Sequence, residues 1–333
     1  MVIGRSEGVT ELSDILDISQ HEGFVIAPFV VSKETPIVII HPEDHLIGWD
    51  SIKRALNALS VETCGKDKKK TKIEGTSFEE YSRSFNLFHQ ALERKRFNKL
   101  VLARTAKVDR DNSHSIGEIY MEACNRYSEA FVWLAKSEAT GIWFGATPET
   151  LIEGNMSKMK TIALAGTERI ESNGVHRDWS ASRYLEQEIV SEYIRETLRG
   201  VTDSFDELGP TTVTAGKVAH LKTTFNFMLS NERTIGELLK NLHPTPAVCG
   251  IPKDEAIKFI KENESINRRY YSGYAGYISK NLCSILFVNL RSMEILPNSL
   301  ILYAGGGILS SSDVDSEWLE TEDKLQTILS LLR

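Results

Sequence analysis

The residues best placed to do chemistry are acidic and lie on helices. Near the C-terminus, Glu317, Glu320 and Lys324 stand at i, i+3 and i+7, so all three share one helix face. Glu320 and Lys324 are also an i, i+4 pair, and alone this would be an ordinary solvated ion-pair face. Before that helix runs Tyr303-Ala304-Gly305-Gly306-Gly307-Ile308. Three glycines after a strand let backbone N–H groups approach an anion closely, although turns use glycine too. Glu186 lies on another helix, with Val190 and Ile194 at i+4 and i+8. A carboxylate on an apolar face is costly to bury unless it is paired or bound to a metal. Carboxylates brought to one point by two helices suit Mg2+, a hard cation that takes oxygen ligands and keeps several waters. Lys99 opens an apolar strand through Leu100, Val101 and Leu102, and Glu149 follows Gly145-Ala146-Thr147-Pro148. His220, within Val218-Ala219-His220-Leu221, reads by itself as a core histidine.

These residues need elements to hold them. Phe24 to Val31 and Pro36 to Ile40 read as short buried strands. From Ser77 to Phe97 the apolar spacing predicts a helix, opened by a Ser77/Glu80 capping box. Strands follow over 99–108, 130–136, 141–146 and 150–153. Helices are expected over 182–198, 234–242 and 253–261, then strands over 272–279, 284–295 and 299–304. The last helix begins near Asp315 or Ser316. Paired strands interleaved with long helices predict an α/β (α+β) fold of antiparallel sheets covered by helices. No long linker divides the chain, so residues 1–333 are expected to form one domain.

Composition narrows the partners. With 41% hydrophobic and 26% charged residues, the chain can bury a substantial core. A net charge of -7 argues against nucleic acid. The basic run Lys66 to Lys72 reads as a solvated loop. The first residues lack a basic stretch followed by an apolar core, and no apolar run reaches the roughly 18 residues of a membrane span, so a cytoplasmic protein is expected. Cys64, Cys124, Cys249 and Cys283 form no CxxC pair, consistent with reduced thiols and no structural zinc.

The ordered segments KLVLAR, GATPETL, LAGT, LEQEIV, VAHLKT, HPTPAVCGIP, RRYYSGYAGY, FVNLRS, YAGGGI and EWLETEDK resemble the chorismate-binding family, which includes isochorismate, salicylate, anthranilate and aminodeoxychorismate synthases. The resemblance covers roughly residues 95 to 333, with 1–94 a looser match. It implies a single domain of large packed antiparallel sheets with helices outside, a monomer, and chorismate as substrate. It also implies roles. Lys99 matches the lysine that activates water for attack at C2, and Glu149 the acid that protonates the departing C4 hydroxyl. Glu186 and Glu320 match magnesium ligands, with Glu317 beside them. Arg291, Tyr271 and the Gly305 backbone match groups that bind the enolpyruvyl carboxylate. Lys324, Gly166, Thr167, His220 and Ala247 match further pocket positions. The implied chemistry displaces two pKa values in opposite directions. A free lysine, with a pKa of about 10.4, is a poor base unless burial near Mg2+ disfavours its charge. A desolvated Glu149 would be pushed up and kept protonated.

Within the family, Lys99 together with Ala165 points to water as the nucleophile, because the ammonia-using members lack that lysine and aminodeoxychorismate synthases often carry a lysine at the position of Ala165. Salicylate synthases tend to carry threonine at the position of Ala247. The resemblance therefore implies an isochorismate synthase of menaquinone or siderophore biosynthesis. Salicylate synthase is the alternative, and an anthranilate or aminodeoxychorismate synthase component or a catalytically silent binder stands further off. Several positions depart from the family pattern. Arg183 stands where an acidic residue is usual, Gln187 where a histidine commonly follows the metal glutamate, and Val314 where a proline is common; AGGG replaces AGAG.

Overall fold

The computed structural model describes residues 2–3, 8–46, 48–57, 74–110, 115–169, 179–215, 218–230, 233–280 and 282–332. The basic run at 66–72, Cys64, and the Thr167 side chain lie outside what is described. Two antiparallel sheets dominate. In spatial order the nine-stranded sheet runs Phe205–Ala215, Val218–Phe227, Lys158–Arg169, Thr150–Asn155, Ser284–Val288, Tyr274–Ile278, Gly23–Ala27, Ile37–Ile40 and Val9–Leu12. The six-stranded sheet runs Gly250–Ile251, Lys99–Asp109, Ser299–Ile308, Ser292–Ile295, Gly141–Thr147 and Phe131–Ser137.

The strands read as nearly continuous apolar runs because both faces are buried. Successive residues point to opposite faces. Thus Ile26, Val38 and Ala275 of the larger sheet meet Trp143, Ile301 and Tyr303 of the smaller one in a shared layer. Their neighbours Val25, Ala27, Ile37 and Ile39 face the other way, in a core with Val190, Ile194 and Leu198 of the Ala181–Arg199 helix. On the far side of the smaller sheet, Leu300, Leu302 and Ala304 pack with Leu325 and Ile328 of the Val314–Leu329 helix. Leu100 and Leu102 pack there with Phe85, Phe88 and Leu92 of the Phe78–Glu93 helix. That helix begins as expected, with both halves of the Ser77/Glu80 capping box formed.

The chain crosses between the sheets at two adjacent places. Gly141–Thr147 belongs to the smaller sheet and Thr150–Asn155 to the larger, so Pro148 and Glu149 form one crossing. Residues 284–295, expected as one strand, are two strands in different sheets, Ser284–Val288 and Ser292–Ile295, and Arg291 sits in the break with φ +46°. The two crossings are bonded to each other, with Val288 N donating to Glu149 O and Ala146 N to Arg291 O. An unbroken run of apolar residues hides such a break, because each half is apolar for its own sheet. The glycine run is also not a turn. Gly305, Gly306 and Gly307 continue the Ser299–Ile308 strand, paired with Ala103, Leu102 and Val101.

Further elements carried weak sequence signals. The strands 158–169, 205–215 and 218–227 include Thr-rich and polar stretches, and much of 206–214 is exposed at the sheet edge, so apolar alternation is faint. The Ile116–Arg126 helix was not among the expected elements, although Ser115 and Glu118 form the same capping box as Ser77 and Glu80.

One buried ion pair fixes the start of the Lys99 strand. Arg268 makes two bonds to Glu264 (2.7 and 2.6 Å) and donates to Val248 O and Val101 O, both at 2.7 Å. Glu264 in turn accepts from Ala103 N at 2.7 Å. Both side chains are almost fully buried, so removing one partner strands the other charge. Arg268→Ala is expected to lower unfolding stability by about 3 kcal/mol or more in urea titration. A loss well under about 1 kcal/mol would show that the pair is not a structural anchor.

Candidate active site

A cavity between the two sheets gathers residues from widely separated parts of the chain. Lys99, Glu149, Glu186, His220, Ala247, Tyr271, Arg291, Gly305, Glu320 and Lys324 all line it. Gly166 and Glu317 do not. Gly166, at φ +69°, sits at an irregularity of the Lys158–Arg169 strand, against Arg183 O and Leu221. Several lining residues were not singled out by sequence, among them Leu164 and Ser272. Ser272, with φ +62°, lies with Tyr271 in the turn before the Tyr274–Ile278 strand, and only its neighbourhood to Tyr271 hinted at it.

The centre of the site is an ion pair. Lys99, 1% exposed, donates to Glu186 Oε1 at 3.0 Å. Lys99 comes from the first position of a strand and Glu186 from the first turns of the Ala181–Arg199 helix. They meet over Gly307. A Cβ there would lie 2.9 Å from Glu186 Oε1 and 2.9 Å from Lys99 Cε, so only glycine leaves room for the pair. At the neighbouring glycine, a Cβ on Gly306 would lie 3.1 Å from Glu317 Oε2 and 3.8 Å from Glu320 Oε1. The glycines therefore serve mainly as clearance for three carboxylates. Lys324 Nζ reaches both Glu320 Oε1 (2.8 Å) and Gly305 O (2.9 Å). Arg183 spans the remaining oxygens, 3.3 Å from Glu186 Oε2 and 3.5 Å from Glu320 Oε2.

Charge separates the carboxylates. Burial pushes Glu149 up to about 7, against the opposing pull of Lys99, Lys324 and Arg291. Burial would raise Glu186 too, but the charge and hydrogen bond of Lys99, with Arg183 and Lys324, hold it at about 2. Glu320 is likewise held below its ordinary value, its desolvation outweighed by Lys324 and Arg183. Glu317 is raised to about 7 by burial and by Glu320, with Ser312 donating to its Oε1 at 2.7 Å. Burial, with Arg291 and Lys324 nearby, lowers His220 to about 3 and keeps it neutral. Tyr271 stacks on Tyr303 (5.4 Å), which stacks on Trp143 (5.3 Å), so one wall of the cavity is aromatic and rigid.

The acidic residues fit a hard divalent cation. All donors are carboxylate oxygens, and the buried Glu317 Oε2 has no hydrogen-bond partner. Among the described residues no group of three or more His, Cys, Asp or Glu side chains is arranged to hold a metal ion. Mg2+ is commonly held by one or two carboxylates, which Glu186 and Glu320 would supply, with water and substrate oxygens in its other positions. Gln187, where a histidine is common in the family, is buried and donates to Ala163 O and Thr223 Oγ1, so it braces the helix on the larger sheet.

The raised Glu149 pKa has a consequence for stability. Between about 4.5 and about 7 the folded protein keeps a proton that the unfolded chain has released. This group's contribution is thus intact below pH 4.5 and is lost as pH rises to 7. Glu149→Gln cannot ionise, so its stability relative to wild type should rise by about 3 kcal/mol across that window. Denaturant titrations at both ends test this, and a pH-independent difference would reject it.

Comparison with known proteins shows the family and the fold. The chorismate binding enzyme family matches residues 18–333, further toward the N-terminus than the sequence motifs reach. Isochorismate synthase MenF of Haemophilus influenzae is 31% identical over 208 residues, 60% of this chain and 48% of that protein. The chain spans about half the length of the first curated relatives it matches. The crystal structure of a putative 2,3-dihydroxybenzoate-specific isochorismate synthase, DhbC, from Bacillus anthracis superposes with a TM-score of 0.81 at 22% identity, covering 99% of this chain and 92% of that one. Anthranilate synthase component I from Streptococcus pneumoniae superposes at 0.69 and 18% identity, covering 98% and 80%. The predicted fold class, large antiparallel sheets flanked by helices, is therefore the observed one, and it is shared by synthases with different products. On the match of residues 18–333, together with the shared fold, this chain belongs to the chorismate-binding enzyme family.

Proposed function

We propose that this protein is an isochorismate synthase, converting chorismate to isochorismate with Mg2+. The observation that carries this reading is that Lys99 and Glu149 line one cavity, with Glu149 raised to about 7 by burial. Lys99 acts as the base in its neutral form, having released its ammonium proton to solvent before it takes one from the water that attacks C2 of chorismate. The ring double bonds shift as the C4–O bond breaks. Glu149, protonated at neutral pH, gives its proton to the departing oxygen, which leaves as water. One water enters and one leaves, so the product is an isomer of the substrate.

Glu186 and Glu320, with Glu317 beside them, would hold the Mg2+. The ion would orient the ring carboxylate and neutralise its charge, without redox chemistry. Arg291, Tyr271 and the Gly305 backbone would receive the enolpyruvyl carboxylate. Arg291 stands at the break between two sheets, where it can point into the cavity while the strands on either side hold its backbone. Lys324 sits between Glu320 and Gly305 O and would link the two carboxylate subsites. Neutral His220 would act as a hydrogen-bonding wall rather than as an acid.

Water rather than ammonia is favoured by the lining itself. Ala165 and Ala247 both border the cavity, so neither position brings an amine or a hydroxyl to the substrate. A site in the protein interior also suits a reaction in which one chosen water must attack. No helix among the described residues is long and apolar enough to cross a membrane, in keeping with an enzyme acting on a soluble metabolite.

Incubation of purified protein with chorismate and Mg2+, followed by product identification, tests the reading. Isochorismate is expected. Salicylate with pyruvate would move the assignment to a salicylate synthase, and an ammonium-dependent aromatic or amino product to an amine-forming enzyme. Lys99→Ala should reduce turnover by roughly a hundredfold or more while chorismate binding persists. Retained turnover would reject Lys99 as the base. Glu320→Gln should raise the Mg2+ concentration needed for half-maximal activity, and an unchanged requirement would remove Glu320 from the metal site.

A further inference from the structure

Arg183 is the residue that the family pattern does not explain. It lies in the first turn of the Ala181–Arg199 helix, three residues before Glu186, and that first turn contains no acidic residue. A cation is disfavoured at a helix N-terminus, where the peptide dipoles present their positive end. Its position therefore calls for compensating charge, and two carboxylates supply it.

The bonding leaves no oxygen of that carboxylate pair without a cation. Glu186 Oε1 is held by Lys99 at 3.0 Å and Glu320 Oε1 by Lys324 at 2.8 Å. Both Oε2 atoms go to Arg183, at the longer distances of 3.3 and 3.5 Å. A divalent cation ligated by both carboxylates must therefore loosen at least one of these contacts. Lys99 is buried in the start of a strand and cannot swing away. Lys324 is also tied to Gly305 O. Arg183 has the longest contacts and a side chain 30% exposed, and its long stem gives it somewhere to go. The neighbourhood holds the helix end close, since a Cβ on Gly166 would lie 3.1 Å from Arg183 O. The backbone is thus pinned while the guanidinium is free to leave.

We propose that Arg183 is a displaceable latch on the metal site, competing with the divalent cation for Oε2 of Glu186 and Oε2 of Glu320. This rests on the reading that these two glutamates hold the metal. In the latched state the guanidinium ties the Glu186 helix to the C-terminal helix. Metal binding releases that tie and replaces one positive charge with two. Arg183 thereby sets how much Mg2+ the enzyme needs, and does so without touching the reacting atoms.

The test is direct binding of Mn2+ to the full chain without chorismate, followed by electron paramagnetic resonance of the free ion. Arg183→Gln should bind Mn2+ about tenfold more tightly than wild type. Arg183→Lys keeps the charge but has a single ammonium that cannot span both carboxylates, and should fall between the two. Thermal unfolding gives a second readout. Arg183→Gln should unfold at a lower temperature than wild type without divalent cation, and the gap should close at saturating Mg2+. Equal or weaker Mn2+ binding by Arg183→Gln, with Glu186→Gln and Glu320→Gln still losing affinity, would overturn the latch and leave the metal site intact. Unchanged affinity in both glutamate variants would overturn the metal site itself, and the latch with it.

Discussion

A buried lysine must find a counter-charge, and in this protein that requirement ties the site together. Lys99 begins the strand beside the short Gly250–Ile251 edge, deep enough that its ammonium cannot reach bulk water. Its partner Glu186 belongs to a helix on the opposite side of the other sheet's core. For the two to meet, the strand between them can carry no side chain at that point, and Gly307 satisfies this. The same condition brings in the C-terminal helix, whose Glu320 is linked to Glu186 by Arg183 and to the strand by Lys324. An unpaired charge at such a depth costs several kcal/mol, so strand, glycines and two helices are held to one arrangement.

The second organising feature is the pair of crossings between sheets. At each, a strand that serves one sheet passes to the other, and its pleat is interrupted. Glu149 and Arg291 occupy these interruptions, bonded side by side through their backbones. A residue within a regular ladder must point to one face or the other, toward apolar layers on both sides here. A residue at a crossing is released from that alternation and can face the gap between the sheets. Arg291 accepts a left-handed backbone to do so, a conformation of the kind found where surrounding structure over-determines the geometry.

These two features produce a division of labour among like groups. Glu149 has Lys99, Lys324 and Arg291 near it, but desolvation prevails, so it holds a proton near neutral pH. Glu186 and Glu320 have cations bonded to them and remain charged despite similar burial. The protonated carboxyl and the two charged carboxylates are thus distinguished by a few ångströms of placement rather than by residue type. His220 is kept neutral mainly by burial, with Arg291 and Lys324 adding to the effect.

Much of the fold was written locally. Capping boxes, apolar spacing and β-branched runs located most helices and strands, because those signals act over a few residues. The acidic face of the last helix and the apolar setting of Glu186 also marked carboxylates that the fold brings together. Ordered motifs identified the family, since many short segments in one order carry more information than any single residue. Other features depended on the assembled molecule. Whether 284–295 is one strand or two depends on which sheets lie beside it, and whether Gly305–Gly307 is a turn or a strand depends on its pairing partner. Arg183 looked like a departure from the pattern until the fold placed it between two carboxylates 134 residues apart in sequence, on helices that no local signal relates. By itself the sequence determined the chemical groups and the elements bearing them. Their convergence, and the opposite protonation of Glu149 and Glu186, were decided by tertiary structure alone, because burial and charge–charge distance exist only once the chain is packed.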